Sequence, residues 1–402
     1  MRSVTGSRGP RWWIKPLAIL LALALSLGVA ACGGSSGSTS SSSSTTSEPS
    51  GEETASGGGG EGGSSLLIDA PPSNVDLAAP KPFEKYCSKT LSMEEAVDFK
   101  VPKAKESGQA LTQMLTTLQG EYFISAAWGF QEAAKEAGVA GTTLAAEGYA
   151  SPEVQQQQFG DLSQGNTKGV VILPSDVNGS VPLVAQAKSA GIQLSVAGSL
   201  LNSNEVPQAV QSDFALGEQA ADLVAKALKE EGKSGGAGLI MAGPKQATWA
   251  SNRLAGFEAR IAEKYPEIEI AVATNQNFVD PTEGLNTFTD ATQAHPEIQW
   301  IYSVDYNLLE AQGLPSTYKG KIPYIAMGLY GTSREALEEG TVNAVIGLMP
   351  ALGARIGVAN AVSMLNGEKV PAITCYPAPV YTAEKLNQPT VKWEGYPAGF
   401  KP

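Results

Sequence analysis

Between positions 109 and 365 short apolar runs alternate with stretches whose apolar residues recur at three-to-four spacing, a change of period that marks strands followed by helices. The runs at 169–173, 192–196, 238–241, 300–303 and 322–326 are short and mostly apolar without alternation. That is the pattern of strands in a parallel sheet covered by helices on both faces. The helical spacing falls over 123–137, 181–190, 217–228, 250–264 and 351–365. Gly138, Gly191 and Gly232 stop three of these helices where left-handed caps are expected. Repeated strand–helix–strand units imply right-handed crossovers and a ligand cleft beyond the carboxyl ends of the strands.

The start of the chain has a different pattern. Arg2, Arg8, Arg11 and Lys15 precede the uncharged apolar segment 17–31, which is the layout of a secretory signal and too short for a spanning helix. The run Val29-Ala30-Ala31-Cys32 resembles a bacterial lipobox, which implies a signal peptide over 1–31 and lipidation of Cys32 as the first mature residue. A plain signal peptide with an incidental cysteine is the alternative. Residues 33–65 are almost wholly Gly, Ser, Thr and Glu and are expected to form a flexible tether with a reach of about 30 Å. Removing the four basic residues of 1–31 takes the formal charge from −12 to −16, a poor surface for nucleic acid. What remains, on the order of 300 residues, suits two lobes of ordinary domain size.

The local sequences then become recognisable. Leu118-Gln119-Gly120-Glu121-Tyr122-Phe123, followed by a helix through Gly129-Phe130 and Ala133-Ala134 to Gly138, resembles the first βα unit of type I periplasmic binding proteins. Pro174-Ser175-Asp176, Ala190-Gly191-Ile192, Ser212-Asp213 with Gly217, and Asn252-Arg253-Leu254-Ala255-Gly256-Phe257 continue the match in order. Ala294-His295-Pro296-Glu297-Ile298, Asp305 and Leu365-Asn366-Gly367-Glu368 complete it. The chain thus looks like the sugar-binding branch of that family, over roughly 109–382. The resemblance implies an α/β fold of two similar doubly wound parallel-sheet lobes joined by three hinge crossings. It also implies a monomer that closes over a small-molecule solute and hands it to an ABC permease in the membrane. On that model the N-terminal lobe spans 106–211 plus 350–374. The C-terminal lobe and tail span 212–349 plus 375–402, and an extension at 66–105 has no family match.

The resemblance places Tyr122 and Phe123 at the aromatic pair that stacks on sugar rings, although Phe123 reads equally as the first core residue of its helix. Arg253 matches a cleft arginine with several fixed donors. Asp305 and Asp176 follow strand ends at the ligand edge and read either as ligand acceptors or as helix caps. Trp249, Tyr306, Tyr330, Met327 and Phe278 are expected to line the same space. Several polar family positions are replaced here, by Ala197, Gly198, Val304, Tyr330 or Leu329, and Leu348. Unpaired buried hydroxyls cost about 1–3 kcal/mol, so the expected ligand is less hydroxylated than a common monosaccharide: aromatic, cationic or otherwise partly apolar. The alternative is that sugar contacts come from Asn252, Asn275, Gln276 or Asn277.

Cys87 and Cys375 are the cysteines left after lipidation and would face an oxidising exterior. On the family model Cys375 lies beside the hinge, so a bond would pin the extension there; two free thiols are the other reading. For catalysis the chain offers little. His295 is the single histidine and reads as structural, and Gly33-Gly34-Ser35-Ser36-Gly37 fits a nucleophile-elbow pattern only within the tether. No phosphate loop or metal-ligand cluster is visible, so no cofactor or metal is expected. A transport receptor is the favoured reading and a sensory receptor presenting its solute to a membrane signalling protein the alternative. An exported chain without DNA-binding helices is not a transcription regulator, and no reacting constellation marks an enzyme.

Overall fold

The computed structural model describes residues 67–69, 76–82, 84–146, 148, 151–275, 280–310 and 314–402. The signal segment, Cys32, the tether, Gln276, Asn277 and Phe278 lie outside the described residues. The elements begin with β1 (Ile68–Asp69), β2 (Lys89–Thr90), α1 (Met93–Val97), β3 (Ala110–Leu115), α2 (Glu121–Ala137), β4 (Ala140–Ala145) and α3 (Pro152–Leu162). Then come β5 (Thr167–Ile172), α4 (Pro182–Ala190), β6 (Gln193–Ala197), β7 (Gln208–Val210), α5 (Asp213–Glu230), β8 (Gly236–Met241) and α6 (Thr248–Lys264). These are followed by β9 (Ile268–Thr274), α7 (Pro281–Ala294), β10 (Trp300–Ser303), α8 (Asn307–Glu310), β11 (Tyr324–Met327), α9 (Gly331–Glu338) and β12 (Ala344–Ile346). The chain closes with α10 (Pro350–Leu365), β13 (Val370–Pro371), β14 (Ile373–Cys375) and β15 (Val380–Tyr381).

Two sheets organise these elements. The N-terminal sheet has seven strands in the order β2-β14-β7-β6-β5-β3-β4, all parallel, and the C-terminal sheet has six in the order β15-β12-β11-β10-β8-β9. Only β15 runs antiparallel in the second sheet. The α/β fold with parallel sheets that the apolar runs predict is therefore the fold observed. Alternation within each run sends side chains to opposite faces. Val171 and Leu173 pack with α2 and α10, whereas Val170 and Ile172 pack with α3 and α4. In the second sheet Ile240 and Tyr302 meet α5 and α6, while Leu239 and Ile301 face the cluster that includes Phe288 of α7 and Leu337 of α9.

The helix ends follow local chemistry. Gly138 and Gly191 cap α2 and α4 in the left-handed conformation, and Gly232 follows α5 with a positive φ. Two glycines set a close helix crossing: a Cβ on Gly217 of α5 would collide with the Arg253 carbonyl, and one on Gly256 of α6 with the Phe214 carbonyl. Without side chains there, α5 and α6 pack backbone to backbone. This brings Asp213 and Arg253 together.

The chain crosses between sheets after β7, after β12 and after β14. Gln211 ties these crossings, its side-chain amide donating to the Gly347 carbonyl at 3.2 Å and the Pro377 carbonyl at 2.8 Å. The extension and tail are built into the same body. Thr374 and Cys375 of β14 register with Lys89 and Thr90 of β2, and Leu91, Ala96 and Val101 enter the N-terminal core. Cys87 and Cys375 are disulfide-bonded with a Cα separation of 5.7 Å, which joins positions 288 residues apart. After adding β15 to the C-terminal sheet, the tail returns: Trp393 packs in the N-terminal core, donates from Nε1 to the Ala96 carbonyl at 2.8 Å, and lies under Arg355.

Candidate functional site

Segments that follow strand ends in the two lobes meet each other. The residues after β3 lead through Gly120 into α2 and deliver Glu121 and Tyr122; those after β10 deliver Asp305 and Tyr306; those after β11 deliver Tyr330 at the start of α9. The Tyr122 backbone N–H donates to the Tyr306 hydroxyl at 3.3 Å, and the Gly331 N–H donates to Glu121 Oε1 at 3.3 Å. Gly120 makes the first contact possible. Its φ is +93°, and a Cβ there would stand 2.8 Å from the Tyr306 hydroxyl oxygen. The lobes are thus in direct contact across the cleft.

Aromatic side chains dominate the interior. Tyr306 and Tyr330 are buried and pack edge to face with ring centroids 4.6 Å apart. Tyr122 reaches across the N-terminal lobe, and its hydroxyl stands 2.6 Å from where a Cβ on Gly198 would lie. The small residues Ala197 and Gly198, which replace polar family positions, leave the room that this hydroxyl takes. A cavity of about 10 Å³ lined by Gln113, Leu173, Ala197, Pro350 and Ala354 remains beside the Tyr122 ring. Phe123 is 3 % exposed, sits in the N-terminal core and meets Tyr122 edge-on at 5.3 Å, so Tyr122 is the cleft-facing member of the pair.

Arg253 and Asp213 form the charged centre. Arg253 Nε donates to Asp213 Oδ1 at 2.8 Å, its NH1 donates to the Val304 carbonyl at 2.7 Å, and its guanidinium carbon lies 4.8 Å from the centre of the Trp249 ring. Burial opposes the guanidinium charge, but the Asp213 carboxylate more than offsets it and raises Arg253 above its ordinary range. The pair is therefore ionised and mutually neutralised. Asp305 is 4 % exposed, and its negative charge, after burial, helps push the Tyr302 and Tyr324 hydroxyls up. Burial is also the main cause that raises Glu121, with Glu335 adding to it against the Gly331 hydrogen bond.

Asp176 is engaged differently: it accepts from the Asn178 N–H at 2.9 Å and from the Gly179 N–H, closing the turn after β5. Of the residues expected at the cleft, Tyr122, Trp249, Arg253, Asp305, Tyr306 and Tyr330 fall in the interlobe region. Asp213, Glu121 and Glu394 were not among them. Glu394 lies in the tail, fully enclosed, and accepts from the Leu348 and Met349 N–H groups at 3.1 Å each and from the Tyr381 hydroxyl at 3.1 Å. The Ser212-Asp213 signal of a helix start points to Asp213 as a cap, and nothing local marks it as the partner of an arginine 40 residues on. Glu394 carries no sequence signal because its partners are backbone groups of the hinge.

Two parallel-sheet lobes that meet through strand-end segments, with buried aromatic and charged side chains between them, define a bilobal α/β binding protein. Residues 113–369 match the family model described as periplasmic binding protein domain, and the chain belongs to that family. It is 26 % identical over 287 residues to the ribose import binding protein RbsB of Salmonella typhimurium LT2, covering 70 % of this chain and 94 % of that one. It is 25 % identical over 305 residues to the periplasmic protein TorT of Escherichia coli K12, covering 75 % and 85 % respectively. Among solved structures, a carbohydrate transporter solute binding protein from Agrobacterium radiobacter in complex with D-arabinose aligns with a TM-score of 0.66 at 20 % identity. That alignment covers 73 % of this chain and all of the other.

Proposed function

We propose that this chain is an extracytoplasmic solute receptor, held to the membrane through lipid on Cys32, that captures one small molecule between its lobes and delivers it to an ABC importer. The observation that carries the reading is the direct meeting of the two lobes at Tyr122–Tyr306 and Glu121–Gly331, which places Trp249, Arg253 and Tyr330 around the same interlobe space. The ribose import binding protein and the arabinose-bound transporter protein share the family or the fold, which favours a transported, sugar-like or less hydroxylated solute and a binder rather than an enzyme. The lobes on either side, 106–211 plus 350–374 and 212–349 plus 375–402, are the bodies that would rotate about the crossings tied by Gln211. Tyr122, Trp249, Arg253, Asp305, Tyr306 and Tyr330 are the ligand-facing residues of this reading.

The test follows the protein in its own cells. Intact mass from the membrane fraction carries a lipid increment at Cys32, Cys32→Ser releases the protein from the membrane, and removing the protein abolishes uptake of the solute it binds. Unchanged uptake would turn the reading towards a receptor that presents its solute to a signalling partner.

A further inference from the structure

Within the proposed receptor, we infer that the solute is a small organic cation, an ammonium-bearing molecule whose charge is held between Glu121 and Asp305 against the faces of Tyr122, Tyr306 and Tyr330. This rests on the solute-receptor reading and narrows it.

The charge balance of the interlobe space points this way. Its guanidinium, Arg253, is already spent: Asp213 neutralises it, Val304 takes a second donor, and Trp249 covers its face. An anionic solute would have to displace Asp213 from a buried pair, which is costly. The carboxylates left over come from opposite lobes, Glu121 at the start of α2 and Asp305 after β10. One oxygen of Glu121 is bonded to the Gly331 N–H, while Oε2 is buried with no hydrogen-bond partner. Burial of an acceptor in that state is unfavourable until a donor arrives, and an ammonium supplies a charged one.

A second observation lies on the facing lobe. Tyr330 is 3 % exposed and its hydroxyl is buried without a hydrogen-bond partner. Tyr306, Glu394, Tyr122 and Glu121 all bear on that hydroxyl electrostatically, so it points into the space between the lobes. A polar atom enclosed there awaits a polar group of the solute. Around it the tyrosine rings offer electron-rich faces, which attract a cation and hold a neutral polyol less well. A cation bridging Glu121 and Asp305 would also pull the lobes together, which couples recognition to closure.

The experiment uses the full-length protein and matched pairs of probes that differ in charge: choline against 3,3-dimethylbutan-1-ol, D-glucosamine against D-glucose, and putrescine against 1,4-butanediol. Calorimetric titration is expected to show at least one cation binding about ten-fold or more tighter than its neutral partner. The preference is expected to shrink as ionic strength rises. Glu121→Gln is expected to remove most of that preference, and Tyr330→Phe, which takes away a hydroxyl with no partner in the fold, to weaken the bound cation while leaving the melting temperature unchanged. Neutral probes binding as well as or better than the cations would overturn the inference and leave the receptor reading standing. No binding by either member of any pair would overturn both.

Discussion

Glu394 offers the sharpest test of how the hinge is held. Its carboxylate sits in a fully buried place and holds the N–H groups of Leu348 and Met349, the second crossing between lobes, where Met349 has the unusual φ of +43°. Burial pushes its pKa up to about 7, against the hydrogen bonds from Met349, Tyr381, Leu348 and Leu329. The folded protein therefore binds this proton more tightly than the unfolded chain. The stability it contributes is complete below the ordinary carboxylate range and is lost as pH rises through about 7. At about 1.4 kcal/mol per pH unit over that interval, ionising it costs on the order of 3 kcal/mol by pH 8. Glu394→Gln keeps an oxygen for the two N–H groups, and its amide can donate to the Tyr381 hydroxyl, which also reaches Thr390 at 3.0 Å. The variant should match the parent near pH 5 and exceed it by on the order of 3 kcal/mol near pH 8, read as the difference in urea unfolding followed by circular dichroism. A difference that stays constant across that pH range refutes the assignment of the proton to Glu394. Glu394→Ala, which leaves two enclosed N–H groups without an acceptor, should cost about 2–6 kcal/mol at either pH.

Other parts of the account can be checked separately. Arg253→Ala leaves Asp213 buried without its partner and should destabilise by about 3–5 kcal/mol, with much of that loss recovered when Asp213→Leu is added, as measured by denaturant midpoints. Reducing the Cys87–Cys375 bond frees a loop of 288 residues and should cost up to about 5 kcal/mol in the chain-entropy model. Melting curves with and without reductant, with alkylation and intact mass to confirm the bond, give the answer; an unchanged melting temperature after full reduction would contradict it. Gly120→Ala puts a Cβ against the Tyr306 hydroxyl at a positive φ and should cost about 1–2 kcal/mol while weakening solute affinity. If affinity is unchanged, the Tyr122–Tyr306 contact is not part of closure.

The elements that pack by local rules were the ones readable in the chain. The strand at 300–303 and the helix ends at Gly138 and Gly191 coincide with the structure because a continuous apolar run and a left-handed cap leave direct marks. Less was legible where a residue's role depends on a distant partner. Asp213 reads as a cap, and only the glycine-mediated crossing of α5 and α6 makes it the counter-ion of Arg253. Likewise the tail beyond Cys375 has no period to read, yet it supplies Trp393 to one lobe and Glu394 to the hinge. Asp176 shows the opposite case: its place after a strand end fits a ligand contact equally well, and the Asn178 and Gly179 N–H groups take its carboxylate instead. The replaced positions Ala197 and Gly198 were visible as losses of polarity, but that Tyr122 extends into the vacated room follows only from the packing.

The central claim is that a single small molecule occupies the space between the lobes. Native mass spectrometry of the full-length protein, followed by a thermal-shift screen of sugars, polyols, amines and aromatic acids, tests it most directly. The account predicts one bound solute per chain that raises the melting temperature and loses affinity when Tyr122 or Tyr306 is replaced by Ala. A chain that carries no small molecule and shifts with none of them would contradict it.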